Sequence, residues 1–123
     1  MENQEQNKHI ITQAEVEQYE LLKPLLDGIY CEFQELSKKK SDSVLNKYKV
    51  KIVNRVLEPV RELMKNELVI HFLDIFEDDD LPTNSDVILM LSHYKKAMVL
   101  FYKKYYMHDP YDRFTDGDWN TSN

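Results

Sequence analysis

The sequence predicts an all-α protein, a small antiparallel bundle of three long helices and one short helix. The chain has only 2 Gly and 4 Pro residues in 123, and apolar residues recur at spacings of three and four over three long segments. The length fits a single core. We expect a disordered N-terminal arm (residues 1–12), one helical-bundle domain (residues 13–107) and an acidic, flexible C-terminal tail (residues 108–123).

The first predicted helix covers about residues 13–39. Thr12 and Glu15 match a capping box, in which the threonine oxygen accepts from a backbone N–H and the glutamate reaches back to the cap. Pro24 lies inside the helix and removes a backbone hydrogen bond, so we expect a kink there. The apolar seam runs at helical spacing through the whole segment and is widened by Leu25 and Tyr30. It consists of Tyr19, Leu22, Leu26, Ile29, Phe33 and Leu36.

The second predicted helix covers about residues 43–66 and is apolar over a broad face. It follows a polar connection, in which Ser41 and Asp42 are the candidate caps. Pro59 predicts a second kink. The main seam consists of Val50, Val53, Leu57, Val60 and Met64. A second apolar flank consists of Leu45, Tyr48, Ile52, Val56 and Leu63.

The remaining elements are a short apolar segment and a third long helix. Residues 68–76 are short enough to be a helical turn or a strand, and we choose helix because no pairing strand is evident. An acidic loop follows over residues 77–84. Thr83 and Asp86 repeat the capping signature, and the helix should end near Met107. Its seam consists of Val87, Leu91, Tyr94, Met98, Phe101 and Tyr105.

Charged side chains occur in blocks along the chain. The totals of 22 acidic and 16 basic residues give a net charge of -6, which argues against a general binder of duplex DNA. Residues 1–37 contain 8 acids and 2 bases, whereas residues 38–66 contain 9 bases and 3 acids. We therefore expect the acidic first helix and the basic second helix to pack side by side and partly neutralise each other.

The basic block also supports an alternative function, nucleic-acid binding. Lysine and arginine side chains would contact phosphates, and aromatic rings outside the seam would stack on bases. Tyr102 and Tyr106 are the rings in such positions. The basic candidates are Lys38, Lys39, Lys40, Lys47, Lys51, Arg55, Lys103 and Lys104.

Patterns typical of catalysis and metal binding are weak. Glu67, His71 and Asp74 would share one face of a helix and are the best metal candidates, but the set has one histidine and no second ligand motif. The acidic run at residues 77–80 lacks the glycine and the distal glutamate of an EF-hand loop. Cys31 is the only cysteine, which excludes an intramolecular disulfide. We expect neither an enzyme nor a bound cofactor.

The function predicted from these features is non-catalytic protein interaction. Apolar surface exceeds what a core of three helices covers, which favours a homodimer or a complex with a partner protein. We interpret the chain as a small regulatory or accessory subunit, cytoplasmic and without membrane contact, from an AT-rich bacterial or phage genome. The candidate partner-binding residues are Ile52, Val56, Leu63, Tyr102 and Tyr106.

Overall fold

Three α-helices contain most of the residues that the structure describes. A computed structural model describes residues 9–77, 79–107, 118, 119 and 121. The helices are α1 (Gln13–Lys40), α2 (Lys47–Leu63) and α3 (Asn84–Tyr105), with a 3-10 helix at Leu68–Phe72. After α3, two short strands pair in antiparallel fashion, β1 (Tyr106–Met107) and β2 (Asp118–Trp119). The all-α prediction is confirmed, since each strand described is only two residues long.

Side-chain caps determine where α1 and α3 begin. The Thr12 hydroxyl accepts from the Glu15 amide at 3.2 Å, and the Glu15 carboxylate accepts from the Thr12 amide at 2.9 Å. Thr83 and Asp86 make the same reciprocal pair at the start of α3. Each cap satisfies backbone donors that have no partner within the first helical turn. Both predicted capping boxes are confirmed.

The second helix begins later than the sequence pattern predicts. Asn46 caps α2 by accepting from a first-turn backbone amide at 2.8 Å, so the prediction of Ser41 or Asp42 was wrong. The preceding residues form a turn held against the start of α3, where the Leu45 amide donates to the Pro82 carbonyl at 2.8 Å. Because the Leu45 amide donates to Pro82, it is not available for a hydrogen bond within a helix.

The main core lies between the apolar seams of the three helices. α1 packs against both α2 and α3. Every residue predicted for the main seams of α2 and α3 is buried, whereas Leu36 at the end of the α1 seam is 41% exposed. Pro24 and Pro59 lie inside helices that continue past them, and the kinks and the antiparallel order stay predictions.

The segment between α2 and α3 is only partly helical. After the 3-10 helix, residues 73–77 form no regular secondary structure, so the prediction of one helix over residues 68–76 was correct only in its first half. The Asn54 side chain donates to the Phe76 carbonyl at 2.8 Å and accepts from the Phe76 amide at 3.1 Å. The Tyr94 hydroxyl of α3 donates to the Asp74 carbonyl at 2.6 Å. These side chains fasten the segment between α2 and α3.

Residues before α1 and after β2 lie side by side. Ile11 is fully buried and forms a parallel bridge with Thr121. Trp119 packs against the core. Ile11 and Trp119 thus pack with the core although they fall within the predicted arm and tail, and the disorder of those two segments stays a prediction. The rest of both predicted segments lies outside the described residues.

Candidate functional site

Five large apolar side chains on α1 and α2 remain exposed. Their exposed fractions run from 37% for Ile52 to 69% for Tyr48. We call this surface the α1–α2 face: Leu21, Leu25, Leu36, Tyr48 and Ile52. Apolar side chains grouped in this way are typical of a surface that contacts another molecule.

The α1 members of this face point away from α3. The Asp27 carboxylate lies 3.4 Å from the Lys95 ammonium of α3 and so identifies the side of α1 that faces α3. At 3.6 residues per turn, Leu25 and Leu36 lie about 160° and 180° around the helix from Asp27. Leu21 lies one turn before Leu25 and shares its side. This side of α1 is the one beside α2, since α1 contacts both helices.

The α2 members point away from the segment that precedes α3. Asn54 identifies the inner side of α2, since its side chain is hydrogen-bonded to Phe76. Ile52 lies about 160° around the helix from Asn54, and Tyr48 lies one turn before Ile52. Val56, one turn after Ile52, is partly buried against the core. The exposed rows of α1 and α2 therefore flank the contact between the two helices.

The predicted partner-binding residues of α2 are in three different environments. Ile52 is exposed, and Val56 is partly buried beside it. Leu63 is 5% exposed and belongs to the core, so it does not contribute to a surface. Leu63 lies at the last turn of α2, beside α1, where it lines a cleft together with Gln18.

Tyr102 and Tyr106 belong to an aromatic cluster within the chain. Their rings stack at a centroid distance of 4.6 Å. Trp119 stands edge-on to both, at 5.5 Å from Tyr102 and 5.3 Å from Tyr106, and reaches Tyr19 of α1 at 5.0 Å. Burial and the neighbouring Tyr102 raise the pKa of Tyr19 to about 12. The predicted role of Tyr102 and Tyr106 as rings open to a partner or to bases is corrected, since they pack on Trp119.

Sequence reasoning missed Trp119 as a structural residue. It is the only tryptophan of the chain and stands among aspartates in a polar segment. A large aromatic side chain in such a segment is itself a signal, because Trp buries more apolar area than most other residues. This signal indicates that the segment around Trp119 packs on the helices.

No close ion pair joins the acidic and basic helices among the described residues, and their mutual neutralisation stays a prediction. Within the described residues, the ion pairs of α1 lie inside the helix, reach His9 before it or reach α3, and none joins α1 to α2. Exposed acids on α1 include Glu17, Glu32 and Glu35, and exposed bases on α2 include Lys49 and Lys51. These charged groups project to solvent and are available to another molecule.

The basic residues predicted to bind nucleic acid lie in three groups on different helices. Lys38, Lys39 and Lys40 occupy the last turn of α1, where cations stabilise the negative end of the helix dipole. Asn84, the first residue of α3, donates to the Lys40 carbonyl at 2.9 Å. The 22 residues of α3 then separate this end from Lys103 and Lys104 by roughly 30 Å. Lys47, Lys51 and Arg55 lie exposed along α2.

The predicted metal candidates are not brought together. The Glu67 carboxylate lies 3.0 Å from the Lys104 ammonium and accepts from the Tyr105 hydroxyl at 2.5 Å. His71 lies on the 3-10 helix and Asp74 follows it in extended backbone, so the spacing does not place the three side chains on one α-helical face. Among the described residues, no group of three or more His, Cys, Asp or Glu is placed to hold a metal ion.

A second apolar region borders the 3-10 helix. Leu68 and Phe72 are exposed there, and a cleft separates Leu68 from Leu100 of α3. The polar groups on its wall are Glu67 and Lys104, which are already paired. Ligand pockets combine apolar walls with polar groups that orient the ligand. This cleft therefore offers a small molecule little beyond apolar contact.

Comparison with known proteins assigns no family. The chain matches no protein-family model, and no curated protein or solved structure is significantly similar to it. In the part of the chain that the structure describes, every helix is too short or too polar to cross a membrane. A function therefore has to be inferred from the surface of the chain itself.

Proposed function

We propose that the chain is a non-catalytic protein-interaction module that binds protein through the α1–α2 face. One observation carries the proposal: two adjacent helices present exposed apolar rows on the same side, including Leu25, Tyr48 and Ile52. Covering a large apolar side chain contributes about 1.5–3 kcal/mol, so a partner would gain affinity from each of them. The surrounding charges would select the partner and its orientation.

The proposal extends to the setting of the protein. A small regulatory or accessory subunit of a bacterial or phage system, located in the cytoplasm, suits a chain with one cysteine and a binding face on its helices. An antiparallel order of the three helices, with kinks at Pro24 and Pro59, belongs to the same proposal. Bent helices would curve the face toward a partner.

Site-specific photo-crosslinking in cells of the native host tests this function. A photoreactive phenylalanine analogue replaces Tyr48 on the α1–α2 face, and the matched control carries it at His93, which is exposed on α3. We expect a protein adduct from position 48 and none from position 93. Equal adducts from both positions, or none from either, would refute a specific protein-binding face.

Nucleic-acid binding is the second candidate function. It is favoured by Lys47, Lys51 and Arg55, which recur at four-residue spacing along an exposed side of α2 and take part in no ion pair within the described residues. Fluorescence anisotropy with single and double strands is the test. Affinity should fall steeply as salt rises, and replacing the three residues by glutamine should flatten that dependence. An absence of binding at low salt would exclude this candidate.

A further inference from the structure

We propose that the partner of the α1–α2 face is a second copy of this chain, with α1 of each copy lying on α2 of the other. This inference rests on the proposed protein-binding function and names its partner. A two-fold axis parallel to the helices generates the arrangement, and it covers both apolar rows at once.

Charge complementarity selects a second copy as the partner. The α1 row is bordered by the exposed acids Glu32 and Glu35, and the α2 row by the exposed bases Lys49 and Lys51. No ion pair joins α1 to α2 within the described part of one chain. Glu35 pairs with Lys38 of its own helix at 3.2 Å, and both side chains of that pair are largely exposed. Acids of α1 are therefore available to the bases of a partner's α2.

The register of the helices places these charges at the same height. Gln18 near the start of α1 and Leu63 at the end of α2 line one cleft. With the antiparallel order proposed above, advancing along α1 corresponds to moving back along α2, at 1.5 Å per residue in both helices. Glu32 then lies level with the stretch that contains Lys49 and Lys51. An axis parallel to the helices keeps these heights, so Glu32 of one copy lies level with the partner's Lys49 and Lys51, which project on either side of the row formed by Tyr48 and Ile52.

Gly28 gives an independent reason to expect a close helix on α1. It is exposed within α1 and lies one turn after Leu25, on the side of the apolar row. A Cβ added there would meet no atom within 4 Å, so contacts within the chain do not require glycine. Glycine inside a helix lowers helix stability relative to alanine. A second helix that approaches α1 closely would explain why a side chain is absent at this point.

Reciprocal charge reversal tests the arrangement. One variant carries Glu32→Lys and Glu35→Lys, and the other carries Lys49→Glu and Lys51→Glu. We expect the wild-type chain to be a dimer by light scattering and each variant alone to dissociate about tenfold or more readily, because like charges then face each other. An equimolar mixture should restore a mixed dimer, since both of its α1-on-α2 contacts pair opposite charges. Salt at about 1 M should reduce the differences in dimer dissociation between the wild type and the variants, because it screens the charges.

Control variants separate surface charge from folding. Glu20→Lys lies on α1 away from the apolar row, and Lys96→Glu lies on α3, so each should leave the dimer unchanged. Circular dichroism should show the same helix content for every variant, since all the substituted side chains are exposed. Gly28→Leu should break the dimer without unfolding the chain, because its side chain enters open space in the single copy.

The outcomes distinguish this inference from the proposed function. A wild-type monomer at every concentration overturns the inference, whereas a crosslink from position 48 to a different protein would still support protein binding. A dimer that neither charge variant weakens overturns the α1-on-α2 arrangement. A crosslinked pair of identical chains, together with the restored mixed dimer, supports both.

Discussion

Replacing Ile11 tests whether the residues before α1 belong to the packed domain. Ile11 is 0% exposed and its neighbour Ile10 is 59% exposed, so the two isoleucines form a matched pair in adjacent positions. Ile11→Ala removes buried methyl and methylene groups and leaves a cavity, which typically costs about 2–5 kcal/mol. Ile11→Val should cost about 0.5–1.5 kcal/mol. Ile10→Ala should change the free energy of unfolding by less than about 0.5 kcal/mol.

Urea unfolding followed by circular dichroism measures these differences. With a denaturant dependence of about 1–3 kcal/mol per molar urea, Ile11→Ala should lower the midpoint by on the order of 1 M, and Ile11→Val by less. The graded order Ala, Val and wild type at position 11 is the signature of a filled core site. If Ile11→Ala and Ile10→Ala had the same small effect, residues 9–12 would be the unpacked arm that the sequence predicts.

Three further predictions concern hydrogen bonds and acid stability. Asn54→Ala should lower the free energy of unfolding by about 1–3 kcal/mol and speed hydrogen exchange at the Phe76 amide, and unchanged exchange there would contradict the two-bond clamp. Tyr94→Phe should lower the free energy of unfolding in urea by about 1–2 kcal/mol with no loss of helix content, because the Asp74 carbonyl loses its donor. An unchanged free energy of unfolding would contradict that hydrogen bond. Burial acts to raise the pKa of Glu15, yet its hydrogen bonds outweigh burial and lower that pKa below the ordinary 4.5, so its contribution to stability is present above pH 4.5 and is lost as the pH falls through the lowered value. Glu15→Gln should remove the contribution of Glu15 to the change in the free energy of unfolding between neutral and acid pH. An unchanged pH dependence in the variant would contradict this contribution.

Local sequence patterns were enough to predict where α1 and α3 begin. The Thr12–Glu15 and Thr83–Asp86 boxes formed as predicted because each needs only residues three apart. The start of α2 did not follow in this way, since Ser41, Asp42 and Asn46 are all suitable caps by residue type. Asn46 is the cap because the Leu45 amide just before it donates to the carbonyl of Pro82, a residue far along the chain.

The candidate surface was predictable in part from helical periodicity. The apolar flank of α2 was evident from spacing, but only Tyr48 and Ile52 of that flank are exposed. Periodicity alone did not separate Ile52 from Leu63, because burial at the end of α2 depends on α1 beside it. The exposed Leu21 lies outside the α1 seam that spacing predicts, and Leu25, which was predicted to widen that seam, is exposed. Their position next to α2 follows only from how the helices pack.

The sequence by itself determined the helical class, the main seams and the separation of charge into blocks, because these depend on residue type and on contacts a few positions apart. The tertiary structure alone decided where Trp119 and Ile11 pack, which aromatic rings remain free and which charges stay unpaired. These outcomes depend on contacts between residues distant in sequence, such as the approach of Trp119 to Tyr19. Chain packing, which no local pattern encodes, thereby set which surface is available to a partner.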